Sequence, residues 1–157
     1  MNSWILVIEV SALFGCALVG GIFFAFSSFV MKALGRIPDP AGMHAMQSIN
    51  IVVLNPLFLG LFCGTALLSV ILVVNGIATT TSPWLIAGGL SYFLGTFLVT
   101  ALGNVPLNNR LATASPSDPA GHATWQSYLP RWTFLNHLRT AAAILAAFCV
   151  LMGLLPA

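Results

Sequence analysis

The sequence predicts an all-α fold, an integral membrane four-helix bundle with short interfacial helices at its cytoplasmic face. Three observations carry that reading. Of 157 residues, 59% are hydrophobic and 5% charged, whereas a water-soluble domain carries about 25% charged residues to cover its surface. Four apolar runs occupy residues 4–31, 49–74, 84–102 and 138–155, each near or above the roughly 20 residues that cross a bilayer. Hydrocarbon offers a free peptide group no partner, so the runs must be helices. The five basic residues, Lys32, Arg36, Arg110, Arg131 and Arg139, lie in or beside the connections between spans one and two and between spans three and four. The positive-inside rule then puts both connections in the cytoplasm and both termini outside, as for a bacterial inner-membrane protein. An impermeant thiol reagent added from outside should therefore label a cysteine placed in the 75–83 turn and spare one at Ser117. The reverse pattern would invert the topology. Four crossings use about half of such a chain, which leaves residues 1–157 as a single four-span domain.

The first run begins almost at Met1, has no basic leader and continues past Phe29. It is longer than the core of a cleaved signal peptide and is predicted to stay as a helix. Glu9, about one and a half turns in, is expected to snorkel to the outer surface. Pro38-Asp39-Pro40 ends this helix, and Met43 to Gln47 lead into the second. Gly60 and Gly64 on span two and Ser91 and Gly95 on span three have the small-xxx-small spacing that lets helices approach closely. They also leave room for a homo-oligomer. The 75–83 turn, rich in Gly, Thr, Ser and Pro, joins spans two and three as a hairpin.

The 104–137 connection holds an exposed loop at 115–119 between two short helical pieces. In the first, Asn104 caps Val105-Pro106-Leu107. In the second, Pro130 starts the fourth helix, which runs to Leu155 over roughly 39 Å. Trp4 and Trp84 fall at the outer interface and Trp125 and Trp132 at the inner one, where indoles sit well at headgroup level. Cys16, Cys63 and Cys149 lie in apolar runs outside any CxxC, which predicts neither a disulfide nor a cysteine metal site. The basic residues form no track for a phosphate backbone, so the expected partner is the lipid bilayer and not nucleic acid.

Polar residues able to do chemistry gather around the inner face: Gln47, Asn50, Asn55, Asn104, Asn108, Asn109, Tyr128, Asn136, His137, Arg139 and Thr140. Buried amides and a buried arginine are costly without partners, so the gathering implies either a mutual structural network or a ligand. Trp125, Tyr128 and Trp132 recur at helical spacing beside it, as a ligand-holding face or as an interfacial aromatic belt. Of His44, His122 and His137, only the last stands at the mouth of a span, where neutral imidazole serves as a base or a metal ligand. No HxxxH or HExxH occurs.

The segments Gly21 to Met31, Ala45-Met-Gln-Ser-Ile-Asn50, Asn55-Pro-Leu-Phe58, Asn104-Val-Pro-Leu-Asn108 and Asn136-His-Leu-Arg-Thr140, with Trp125, Tyr128 and Trp132 between the last two, resemble the anthrone oxygenase membrane family. The resemblance covers nearly the whole chain. It implies a four-span bundle and, for the oxygenases, insertion of oxygen from O₂ at the reactive methylene of a tricyclic anthrone. His44 and His122 stand outside the resembling segments.

Two readings of different classes follow. In the first, an oxygenase acts on an apolar aromatic small molecule that arrives through the bilayer. His137 is the base, with Arg139 and Asn136 completing the catalytic group. Asn50, Asn104 and Asn108 stabilise an enolate together with Arg139. Asn55 joins these as a substrate-binding amide, and Trp125, Tyr128 and Trp132 hold the flat rings. This route requires no cofactor. In the second, a four-helix bundle binds heme, with His137 as axial metal ligand and Arg139 on a propionate. The alternative to both is a membrane binding protein without catalysis.

Overall fold

The computed structural model describes residues 3–79 and 82–155. Its regular elements are the helices α1 (Ser3–Leu34), α2 (Asp39–Val52), α3 (Pro56–Thr79), α4 (Pro83–Ala112) and α5 (Pro119–Leu154), with no strand among the described residues. All except α2 are long and apolar enough to cross a membrane, and the protein is an integral membrane helical bundle. α1 packs beside α3 and α5, and α4 beside the same two. The spans thus form a ring in up-down order, as short connections between antiparallel neighbours dictate. Phe23 and Val19 of α1, Phe62 of α3, Tyr92 of α4 and Ala143 of α5 meet at its centre.

Small residues set the close contacts, but not all of those expected to. Ser91 Oγ donates to the Ala142 carbonyl at 2.9 Å, and a Cβ on Gly95 would lie 2.5 Å from Ala142 Cβ. One turn earlier in α4, a Cβ on Gly88 would lie 2.9 Å from Val150 Cγ2 and 3.1 Å from the Ala146 carbonyl. The span-three pair therefore joins α4 to α5. Gly60 and Gly64, in contrast, have nothing within 4 Å of an added Cβ, so they face away from every neighbour within the chain. α1 approaches α3 through Gly15, set against Thr65. Gly88→Leu should accordingly destabilise the bundle by about 1–3 kcal/mol or more, while Gly60→Leu should stay within about 0.5 kcal/mol. Thermal unfolding in detergent measures both; equal losses would contradict this packing.

Several boundaries differ from the sequence expectation. The second span starts at Pro56 and not at residue 49, because α2 ends at Val52 as a separate interfacial helix. Asn55 makes the break: its Nδ2 donates to the Val52 carbonyl at 2.9 Å, and its Oδ1 accepts from the Phe58 N–H at 3.0 Å. One amide closes α2 and caps α3. Of the expected 75–83 turn, Asn75 to Thr79 are the last helical residues of α3 and Pro83 opens α4; residues 80–81 lie outside the described residues.

Asn104 does not cap a new helix. It has helical torsions (φ −72°, ψ −39°) and no capping bond, because α4 runs through it on a wide π-helical turn, Thr100–Asn104, in which the Val105 N–H reaches back to the Thr100 carbonyl. Likewise Pro130 lies inside α5, which begins at Pro119 and is 36 residues long, or about 54 Å. Proline is tolerated there because Pro130 and Gln126, whose carbonyl it leaves unbonded, are both on the exposed face. The buried face of that extension explains its persistence: Trp125, Tyr128 and Trp132 pack with Met31, Met43, Met46 and Leu111 into a second core at the polar end of the bundle. Trp125 and Trp132 are hence core residues and not headgroup anchors, whereas Trp4 and Trp84 are exposed. Glu9 also departs from expectation, being buried between helices.

Candidate functional site

Arg139 is the only basic residue of the described chain that is buried, with 4% of its surface exposed. It faces no carboxylate among the described residues. Its Nη1 donates to Thr100 Oγ1 at 3.2 Å and its Nη2 to Asn136 Oδ1 at 2.7 Å. The guanidinium lies 4.1 Å from the Phe23 ring centre and 5.0 Å from that of Trp132, and ring faces are attractive to a desolvated cation. Dipoles and ring faces thus replace a counter-ion, so the positive charge is left available to an anion. Nε has no partner.

Asn136 is fully buried and fully used. Its Nδ2 donates to the Phe23 carbonyl at 2.8 Å and to Ser27 Oγ at 2.7 Å. Thr140 Oγ1 donates to the Asn136 carbonyl at 2.8 Å. Since that occupies the Thr140 proton, the 3.0 Å contact between Ser27 Oγ and Thr140 Oγ1 has Ser27 as donor. A directed chain therefore runs from Arg139 through Asn136 to the Ser27 hydroxyl. Ser27 lies in a π-helical segment of α1, Phe26–Val30, and Thr96, Thr100 and Asn104 lie in the two π segments of α4. Such segments interrupt the regular ladder and recur at functional sites.

Beside this chain, Asn108 Oδ1 accepts from the Tyr128 hydroxyl at 2.9 Å and from Trp132 Nε1 at 2.8 Å. Asn104 Nδ2 donates to the Trp132 carbonyl at 3.3 Å. Trp125, Tyr128 and Trp132 stack in series, with ring centres 5.8 and 6.3 Å apart. Asn50 lies beside the Tyr128 hydroxyl, but its Nδ2 makes no bond, and Asn104 Oδ1 and Trp125 Nε1 are also buried without partners. Buried polar atoms of this kind are uncommon in native proteins.

His137 is one residue from Asn136 but about 100° further around α5, and it is exposed. It lines a groove of about 470 Å³ between α1 and α5, with Ser27, Met31, Lys32, Leu129 and Phe134 among the walls. A second depression of about 390 Å³ continues it, again with His137 and Ser27, and with Thr140 and Phe24. Ser27 and Thr140 are therefore shared by groove and buried chain.

The arrangement brings together Asn136, Arg139, Trp132, Tyr128, Asn108, Asn104 and Asn50 inside the bundle, and puts His137 on the outside of the same region. Asn55 is exposed at its helix junction, apart from these. Gln47 bonds the Leu111 and Ala114 carbonyls at the end of α4. His44 is exposed, and His122 Nδ1 pairs with Asp39 Oδ2 at 2.7 Å; neither lines the His137 groove. Among the described residues no three of His, Cys, Asp and Glu are grouped to hold a metal ion. Ser27, Thr100 and Phe23 escaped the residue-by-residue reading. A signal for the first existed: Ser27-Ser28 is a hydroxyl pair inside an otherwise apolar run.

Comparison with known families gives one match, to a family model described as anthrone oxygenase, over residues 51–149. No curated protein and no solved structure matches the chain.

Proposed function

The chain belongs to the anthrone oxygenase family, and from that premise we propose that it is a membrane oxygenase for an apolar aromatic substrate drawn from the bilayer. The observation that carries this reading is the shared wall: His137 and Ser27 line one groove, and Ser27 belongs to a hydrogen-bonded chain that starts at a buried arginine with no counter-ion among the described residues.

The chemistry suited to such a wall is proton removal next to a carbonyl. His137 takes a methylene proton from a ring system lying against Leu129, Met31 and Phe134. The electron pair moves onto the carbonyl oxygen, and the enolate forms against the Ser27 hydroxyl, which turns its proton from Thr140 Oγ1 to that oxygen and is polarised by Asn136 and Arg139. O₂ is apolar and shares the substrate's phase. The carbanion passes one electron to O₂, the two radicals join in a C–O bond, and the resulting peroxide takes the proton held by His137. Loss of the remaining C–H proton with cleavage of the O–O bond leaves a ketone. One O₂ is consumed, one oxygen atom enters the product and the other leaves as water. In this scheme Asn108, Asn104, Asn50, Tyr128 and Trp125 act from behind, holding Trp132 over Arg139.

The test is the protein in lipid nanodiscs with an anthrone as probe and no added cofactor. The expected result is quinone formation above the protein-free rate, with one O₂ consumed per ketone formed. A folded protein with no rate above that background would refute the assignment.

A further inference from the structure

A second groove lies on the other side of the Phe134 ring, between α4 and α5, with a volume of about 420 Å³. Its walls change character along its length. At the deep end are Leu102, Gly103, Leu135 and Phe134, with Leu102 75% and Phe134 61% exposed. Gly103 provides the floor, since a Cβ there would lie 2.9 Å from Leu135 Cδ1. At the polar end are Arg110 of α4 and Arg131 of α5. Helical rise puts Arg110 about 10 Å, and Arg131 about 6 Å, from the Gly103–Leu135 contact toward the polar end of the bundle. Two cations from two helices thus close the end of an apolar trough open to lipid.

Neither arginine is in an ion pair, and neither side chain makes a hydrogen bond, among the described residues. Asp118 shares a separate depression with Arg110 without pairing. Arginine's fork of donors matches phosphate oxygens, and two forks converging on one site match a phosphodiester better than a carboxylate. Basic pockets between membrane helices favour anionic headgroups, and a zwitterionic lipid carries an ammonium that offsets the attraction.

We propose that this groove is a binding site for one anionic phospholipid, its phosphate held between Arg110 and Arg131 and the upper part of an acyl chain lying over Gly103 between Leu102, Leu135 and Phe134. The cations at Lys32 and Arg36 differ in kind. They flank a depression lined by α1 and the turn after it, and the groove that Lys32 shares with α5 has no arginine or second lysine in its walls to complete a clamp.

Native mass spectrometry of the detergent-purified protein, given phosphatidylglycerol and phosphatidylcholine with the same acyl chains, tests the site. Phosphatidylglycerol should be retained roughly tenfold over phosphatidylcholine, given the attraction of each basic residue for acidic lipid. Arg110→Gln with Arg131→Gln should bring the ratio to about one, and each single change should lose part of it. Lys32→Gln with Arg36→Gln should leave it unchanged. All four side chains are exposed, and matched thermal unfolding without added lipid checks that the variants are folded. Retention of the full preference by the Arg110/Arg131 double variant would overturn the proposal, as would loss of the preference in the Lys32/Arg36 variant alone. Displacement of phosphatidylglycerol by an equal concentration of inorganic phosphate would also overturn it, because the apolar trough would then contribute nothing.

Discussion

His137→Ala is expected to lower oxygenation of an anthrone probe by about 10²–10⁴-fold, the usual contribution of a positioned general base, while leaving stability within about 0.5 kcal/mol. The two parts of this expectation have separate causes. His137 is the one imidazole that lines the groove, so proton removal there has no substitute. Its side chain is also exposed, so the bundle does not depend on it. His44→Ala should be mild in both respects. His122→Ala removes only the contact with Asp39, and His122 is 63% exposed, where such pairs are worth about 0–1 kcal/mol. Quinone absorbance and thermal unfolding on the same preparations measure rate and fold together. Full activity in the His137 variant would dismiss it as the base.

The second large effect is structural. Asn136→Leu is expected to destabilise the protein by about 1.5–3 kcal/mol or more, the contribution of a hydrogen bond to a charged group, with the bonds to Ser27 and the Phe23 carbonyl lost as well. Asn136 supplies the shortest bond to Arg139, at 2.7 Å, and also ties α5 to α1 through Ser27 and the Phe23 carbonyl. Leucine fills similar space and satisfies none of these groups. Adding Arg139→Leu removes the unpaired charge, so the double variant should recover much of the loss while remaining inactive. Chemical unfolding of the two single variants and the double variant closes the cycle. Purely additive losses would mean that Arg139 and Asn136 are not coupled, and Arg139 could not then act through Ser27.

The elements most legible in the sequence are those set by solvent transfer. A run of 20 apolar residues cannot remain in water, so the existence and number of the spans follow from composition alone. The inward gathering of asparagines with Arg139 was equally readable, because polar atoms in an apolar helix require partners. Where a helix starts or stops was less so. Pro130 reads as a beginning by local rules, yet α5 is helical back to Pro119, because Trp125, Tyr128 and Trp132 gain more by stacking in the second core than proline costs on an exposed face. Asn104 reads as a cap by the same rules, but the backbone there stays helical.

By itself, then, the sequence determined an all-helical membrane protein of four spans, the end of the bundle that carries its polar chemistry, and its family resemblance. Only the tertiary structure decided which side of a helix each residue takes. Asn136 and His137 are adjacent in the chain and about 100° apart around α5, so one joins the buried arginine and the other faces lipid. Gly60-xxx-Gly64 and Ser91-xxx-Gly95 have one spacing, yet the second meets α5 and the first meets nothing in the chain. Spacing states which residues share a face. Which neighbour that face meets depends on how four nearly uniform apolar cylinders rotate against one another, and that is set by contacts between distant residues, such as Ser27 with Asn136 and Arg139 with Thr100.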